Sequence, residues 1–158
     1  MEYASVKIKK GQGRSLKAGG PWIYDNEIDT VTGEPEDGSI VEVHDFDDYF
    51  LGYGFINRKS TITVRIMSRH KENKIDDEFI MKLVQNAWDY RKETVDTSSC
   101  RVIFGEADFL PGIVIDKFSD VLVVESLALG IDKLKPTILR ALYSVLLEDG
   151  IKVRGIYE

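Results

Sequence analysis

The sequence predicts an α+β chain of two modules. A small β-barrel occupies residues 1–70, and a β-meander, helix and strand domain with a preceding helix occupies residues 71–158. Three observations predict this. Short alternating segments with frequent turn signals fill the first half. A meander pattern runs from Arg101 to Ser126. Two stretches of helical periodicity bracket that meander.

The elements follow in chain order. Tyr3 to Lys9 alternates, with Ala4, Val6 and Ile8 on one side, as a half-buried strand does. Gly11 to Gly20 is glycine-rich and basic, a loop with a short helical turn. Pro21 to Ile28, Ser39 to His44, Tyr49 to Ile56 and Thr61 to Met67 read as further strands, with Asp45 to Asp48 a polar turn. Strands this short suggest a barrel or sandwich.

Lys71 to Ile75 is a charged linker. Asp76 is placed to cap a helix, and Asp77 and Glu78 complement its positive end. Phe79, Ile80, Leu83, Val84, Ala87 and Trp88 recur at helical spacing. In the meander, Arg101 to Phe104, Ile113 to Ile115 and Val121 to Glu125 are strands. Pro111 is pre-set for the second position of the turn Leu110-Pro111-Gly112, and Gly112 tolerates positive φ. A second helix is expected from about Asp132 to Glu148, with Pro136 within its first turn or so. A last strand, Val153 to Tyr157, runs into the end of the sequence without a cap or polar tail. The domain is therefore expected to be truncated there.

Composition narrows the function classes. The 158 residues are 43% hydrophobic and 30% charged, as in ordinary globular proteins. No apolar run approaches the roughly 20 residues that span a bilayer, and no signal peptide opens the chain, so no membrane partner is expected. Cys100 is the single cysteine, which excludes an internal disulfide and fits a cytoplasmic protein. The net charge of −6 argues against indiscriminate nucleic-acid binding. Its distribution argues differently. Tyr3 to Tyr24 holds Lys7, Lys9, Lys10, Arg14 and Lys17 without an acid, and Tyr49 to Lys71 holds Arg58, Lys59, Arg65, Arg69 and Lys71 without one. The acids of the first half crowd into Asp25 to Asp48. A basic face forms if the two basic segments meet.

The familiar catalytic signatures are missing. There is no phosphate-binding loop, no G-x-G-x-x-G and no nucleophile elbow. His44, His70 and Cys100 lack metal-ligand spacing, so no metal is expected. Glu106, Asp108 and Asp116 cluster around one hairpin, where carboxylates do acid–base work, hold a metal or simply shape turns. Cys100 has no neighbouring His and only Arg101 as an adjacent charge. No catalytic residue is assigned.

Two sets of strings carry a family resemblance. Gly105-Glu106-Ala107-Asp108, then Leu110-Pro111-Gly112, then Asp116 resembles the middle domain of a family of SAM-dependent 23S rRNA cytosine methyltransferases. Gly20-Pro21-Trp22-Ile23-Tyr24, then Gly52 to Asn57, then Ser60-Thr61-Ile62 with Val64-Arg65 is similar to a PUA domain, a small RNA-binding β-barrel. That family often has His where Pro21 stands and Pro where Arg58 stands. The resemblance covers this chain but under half of a complete family member, and it implies that the catalytic Rossmann domain is absent from it. S-adenosylmethionine is therefore implied for the complete protein and no cofactor for this chain. The expected partners are ribosomal RNA and the catalytic methyltransferase domain.

For RNA contact, phosphates need cations and exposed bases need flat or hydrogen-bonding groups. The candidates are Lys10, Arg14, Lys17, Trp22, Asn57, Arg58, Lys59 and Arg65, with Tyr24, Tyr53 and Ser60 as further candidates. The loop bearing Arg101, Glu106, Asp108 and Pro111 is expected, by the resemblance, to face a substrate pocket. Function is then the RNA-recognition portion of an rRNA methyltransferase. The alternative is a non-enzymatic adaptor that binds RNA or protein. A sheet lacking its final strand exposes an edge, which points to a homodimer.

Overall fold

The computed structural model describes residues 3–158 as an α+β protein. The chain divides into two compact units, Met1–Ile75 and Asp76–Glu158.

The first unit holds β1 (Ala4–Ile8), α1 (Arg14–Lys17), β2 (Trp22–Tyr24), a 3-10 turn at Asp25–Glu27, β3 (Ile28–Thr32), β4 (Ile40–His44), β5 (Phe50–Ile56) and β6 (Ile62–Ser68). They form one sheet in the order β2-β6-β5-β4-β1-β3. Only β1 and β4 pair in parallel. Val6, Ile8, Leu16, Ile23, Val41, Val43, Ile56, Val64 and Ile66 share one buried cluster, so the sheet curls around a single core. Leu16 closes it from α1.

Strand β3 was not expected. Its pairing with β1 runs Val6↔Val31 and Lys7↔Thr30, then jumps to Ile8↔Ile28, leaving Asp29 as a bulge. The extra residue puts Ile28 and Val31 against the core although three positions separate them. The period-two signature is thereby erased from the sequence.

The second unit holds α2 (Asp77–Thr94), β7 (Ser99–Phe104), a 3-10 turn at Gly105–Asp108, β8 (Ile113–Phe118), β9 (Val121–Ser126), α3 (Leu129–Glu148) and β10 (Gly155–Tyr157). Asp76 caps α2 by accepting from the Phe79 N–H at 2.8 Å. The sheet order is β10-β9-β8-β7, antiparallel except for β10 on β9. Ile113, Ile115, Leu122 and Val124 alternate into the core, which Ile80, Val84 and Trp88 of α2 and Ile138, Leu142 and Leu146 of α3 complete. The expected turn forms. Gly112 has φ 88° and the Ile113 N–H donates to the Leu110 carbonyl at 3.3 Å.

Helix α3 starts earlier than expected, at Leu129, which places Pro136 inside it rather than in its first turn. Pro136 has no N–H to give the carbonyl of Asp132. The helix continues because Ile131, Ile138, Ala141, Leu142 and Val145 bury one stripe across the interruption.

Candidate nucleic-acid interface

The two acid-free segments of the first unit do meet. Strand β2 pairs with β6, setting Trp22 opposite Arg65. The Arg65 guanidinium lies 5.3 Å from the Trp22 ring centroid. Arg69, just past β6, donates to the carbonyls of Leu16 at 2.8 Å and Gly20 at 2.6 Å. Its charge is thus used to pin the glycine-rich loop. From the other side, one carboxylate holds the same loop. Glu27 accepts from the Gly13 N–H and from the Tyr24 N–H, each at 3.1 Å.

The acids from Asp25 to Asp48 take up part of the basic charge. Lys7 pairs with Asp48 at 2.8 Å and Lys17 with Asp45 at 3.5 Å. The Asp48 partner pushes the Lys7 ammonium up. The Tyr49 N–H, above all, holds the Asp45 carboxyl below the usual carboxylate range. Arg58 donates to the Pro35 carbonyl at 2.6 Å and lies 3.8 Å from Asp37. Asn57 accepts from the Lys59 N–H at 3.1 Å, as a turn residue does. Lys9, Lys10, Arg14 and Lys59 are exposed and make no ion pair among the described residues.

The aromatic candidates separate as clearly. Tyr53 is buried, with its hydroxyl donating to the Lys71 carbonyl at 2.7 Å, so it offers no face to a ligand. Trp22 is half-buried beneath Arg65, and its Nε1 is buried without an acceptor. Tyr24 is exposed at the end of β2.

In the second unit, the carboxylates of the 105–112 loop are internal fasteners. Asp108 accepts from Arg91 Nη1 at 3.2 Å, Arg91 Nη2 at 2.8 Å and the Phe104 N–H at 2.7 Å. Glu106 accepts from the Gly112 N–H at 3.0 Å. Arg101 pairs with Asp116 through two bonds, at 2.8 and 3.3 Å, and lies over the Phe104 ring. Pro111 is buried. Of the residues expected to face a pocket, Asp108 and Pro111 therefore turn inward, because the loop satisfies its own backbone and the Arg91 charge. What the loop presents outward is Phe109, with φ 61° and 62% of its surface exposed. Nothing in the local pattern singles out Phe109, and Arg91 reads only as a helix-end cation. Glu27 was equally invisible, since its two N–H partners come from another loop and from its own turn. Burial pushes the Cys100 thiol up, away from the thiolate a nucleophile needs. Among the described residues, no group of three or more His, Cys, Asp or Glu side chains is placed to hold a metal, and no helix is long and apolar enough to cross a membrane.

The family described as "PUA-like domain" matches residues 6–69. The "Ribosomal RNA large subunit methyltransferase I" of Shewanella frigidimarina is 38% identical over 141 residues, spanning 87% of this chain and 36% of that protein. The protein of the same name from Vibrio cholerae is 33% identical, spanning 87% of this chain and 35% of its own length. The chain thus spans about a third of the curated relatives it matches. Two solved structures share the fold at 18% identity. One is "A putative sam-dependent methyltransferase from Streptococcus mutans", with a TM-score of 0.76 over 93% of this chain and 38% of that one. The other is "a putative methyltransferase complexed with SAH", with a TM-score of 0.78 over 99% of this chain and 40% of that one.

Proposed function

We propose that this chain is the RNA-recognition portion of a SAM-dependent rRNA cytosine methyltransferase, a reading supported by the match of residues 6–69 to the PUA-like domain family and by the alignment of 87% of the chain with "Ribosomal RNA large subunit methyltransferase I" proteins. In this reading it places 23S rRNA, in the cytoplasm, for a catalytic domain outside these 158 residues, and that domain takes S-adenosylmethionine. The observation that carries the proposal is the joining of the two basic segments along β2 and β6, with Lys9, Lys10, Arg14 and Lys59 left without an ion pair among the described residues. Ammonium and guanidinium groups without an internal acid are the ones available to phosphate. Lys17 and Arg58 already have acidic neighbours within the fold, so their part is smaller.

Salt dependence tests this. Each phosphate contact releases counterions and adds roughly 0.7–0.9 to the slope of log affinity against log salt. Titration with labelled 23S rRNA hairpins is expected to give a slope of about −3. Arg14→Ala or Lys59→Ala should flatten it by roughly one contact, whereas Arg58→Ala should leave it nearly unchanged. No binding at low salt would overturn the proposal. A complex with a protein partner that ignores salt would favour the adaptor reading instead.

The outer edge of β10, three residues long and ending the sheet order, is proposed as the seam of a homodimer. Light scattering across micromolar concentrations should show a mass above the monomer. A constant monomeric mass would exclude it.

A further inference from the structure

The geometry points to an unpaired RNA segment as what this surface takes up, with one base stacked on Tyr24 between phosphates held by Lys10 or Arg14 and by Lys59. This inference rests on the RNA-recognition reading above and specifies its ligand. Of the aromatic candidates Trp22, Tyr24 and Tyr53, Tyr53 is buried and Trp22 lies under Arg65, while Tyr49, 70% exposed, closes the acidic turn Asp45 to Asp48. Tyr24 is 37% exposed.

Its backbone is fixed from both sides. In the β2–β6 pairing Ile23 faces Val64, but Tyr24 faces Ile62, so Thr63 is bulged out. A bulge at the end of a strand re-aims the side chain beside it. The Glu27 carboxylate then ties the Tyr24 N–H to the Gly13 N–H. The Lys9 N–H donates to the Glu27 carbonyl at 2.8 Å, and the Gln12 N–H to the Lys9 carbonyl at 3.0 Å. The loop carrying Lys9, Lys10 and Arg14 is thus bonded to the turn that follows Tyr24. On the other side, the Asp25 N–H donates to the Thr61 carbonyl at 3.0 Å, and the Ser60 N–H to the Asn57 carbonyl at 3.1 Å. That turn carries Lys59. Tyr24, whose side chain is exposed, therefore has its backbone bonded between two segments whose cations make no ion pair among the described residues.

The same charge layout limits what binds. Lys7 and Lys17, which would widen the basic face, are held by Asp48 and Asp45. A duplex offers phosphates and 2′-hydroxyls but no base face for a ring to stack on. A splayed nucleotide uses both the ring and the cations around it. Asp25, exposed next to Tyr24, opposes phosphate and supplies a test of opposite sign.

The experiment is fluorescence anisotropy on the full chain at low salt. It compares a labelled unpaired RNA oligonucleotide with the same strand annealed to its complement. The unpaired strand should bind about tenfold more tightly. Tyr24→Ala and Tyr24→Leu should each lose about tenfold, while Tyr24→Phe and Tyr24→Trp retain binding. The salt slope should stay unchanged in Tyr24→Ala and fall in Arg14→Ala. Asp25→Asn should tighten binding. If Arg14→Ala weakens binding but Tyr24→Ala and Tyr24→Leu do not, or if the duplex binds as tightly, the stacking inference is overturned and the RNA reading survives. If neither RNA form binds, the RNA reading itself falls.

Discussion

Asp108→Ala should lower the stability of the second unit by about 3 kcal/mol, a cost set by the charge it leaves behind. The side chains of Arg91 and Asp108 are 10% and 8% exposed. Asp108 accepts from both terminal nitrogens of Arg91 and from the Phe104 N–H, while Arg91 Nε donates to the Arg101 carbonyl. Deleting the carboxylate strands a guanidinium away from water and orphans a backbone donor. Neither loss can be relieved by rotation, because Arg91 is fixed on α2 and its Nε bond remains. Urea titration, following Trp88 in a Trp22→Phe background, reads the unit in question, since Trp88 is buried there. With a slope of roughly 1–3 kcal/mol per molar, the midpoint should fall by about 1 M or more. A shift within error would mean that solvent already screens the pair.

Gly54→Ala should destabilise the first unit by about 3 kcal/mol, at the upper end of overpacking effects. A Cβ at this position points into the backbone of β6. It would clash with the Arg65 carbonyl oxygen and come within 2.9 Å of the Arg65 carbonyl carbon and 3.1 Å of the Ile66 Cα. Backbone cannot swing aside as a side chain does, so relief requires parting β5 from β6. Gly11→Ala is the contrast. Nothing lies within 4 Å of its Cβ position, and only its φ of 79° opposes the change, at about 1–2 kcal/mol. Thermal unfolding by circular dichroism should show the larger drop for Gly54→Ala, and amide exchange should localise it to β5 and β6. Equal effects at both glycines would sink the steric account.

Much of the fold was legible. The Asp76 cap, the apolar stripe of α2 and the Leu110-Pro111-Gly112 turn are local signals, and each appears where its chemistry placed it. Strand β3 was not legible, because the bulge at Asp29 breaks the alternation by which strands are recognised. The start of α3 was misplaced because Pro136 reads as a first-turn residue, whereas the buried stripe of α3 carries the helix past it. The candidate site was legible only as a composition, two basic segments without acids. Lys17 and Arg58 looked as available as Arg14 and Lys59 until the fold brought Asp45 and Asp37 to them.

Residue order alone established the α+β class, the sequence of most elements and the segregation of charge, because periodicity, capping and turn chemistry act between near neighbours. The folded chain decided which of those charges have an acid beside them, that Tyr24 is exposed while Tyr53 is buried and Trp22 lies under Arg65, and that Glu106 and Asp108 bond to Gly112, Arg91 and Phe104. Those properties depend on burial and on distances between residues far apart in sequence. Coulomb attraction and desolvation act through space, so they take definite values only once the sheet has brought Glu27, Arg69 and Asp108 to their partners.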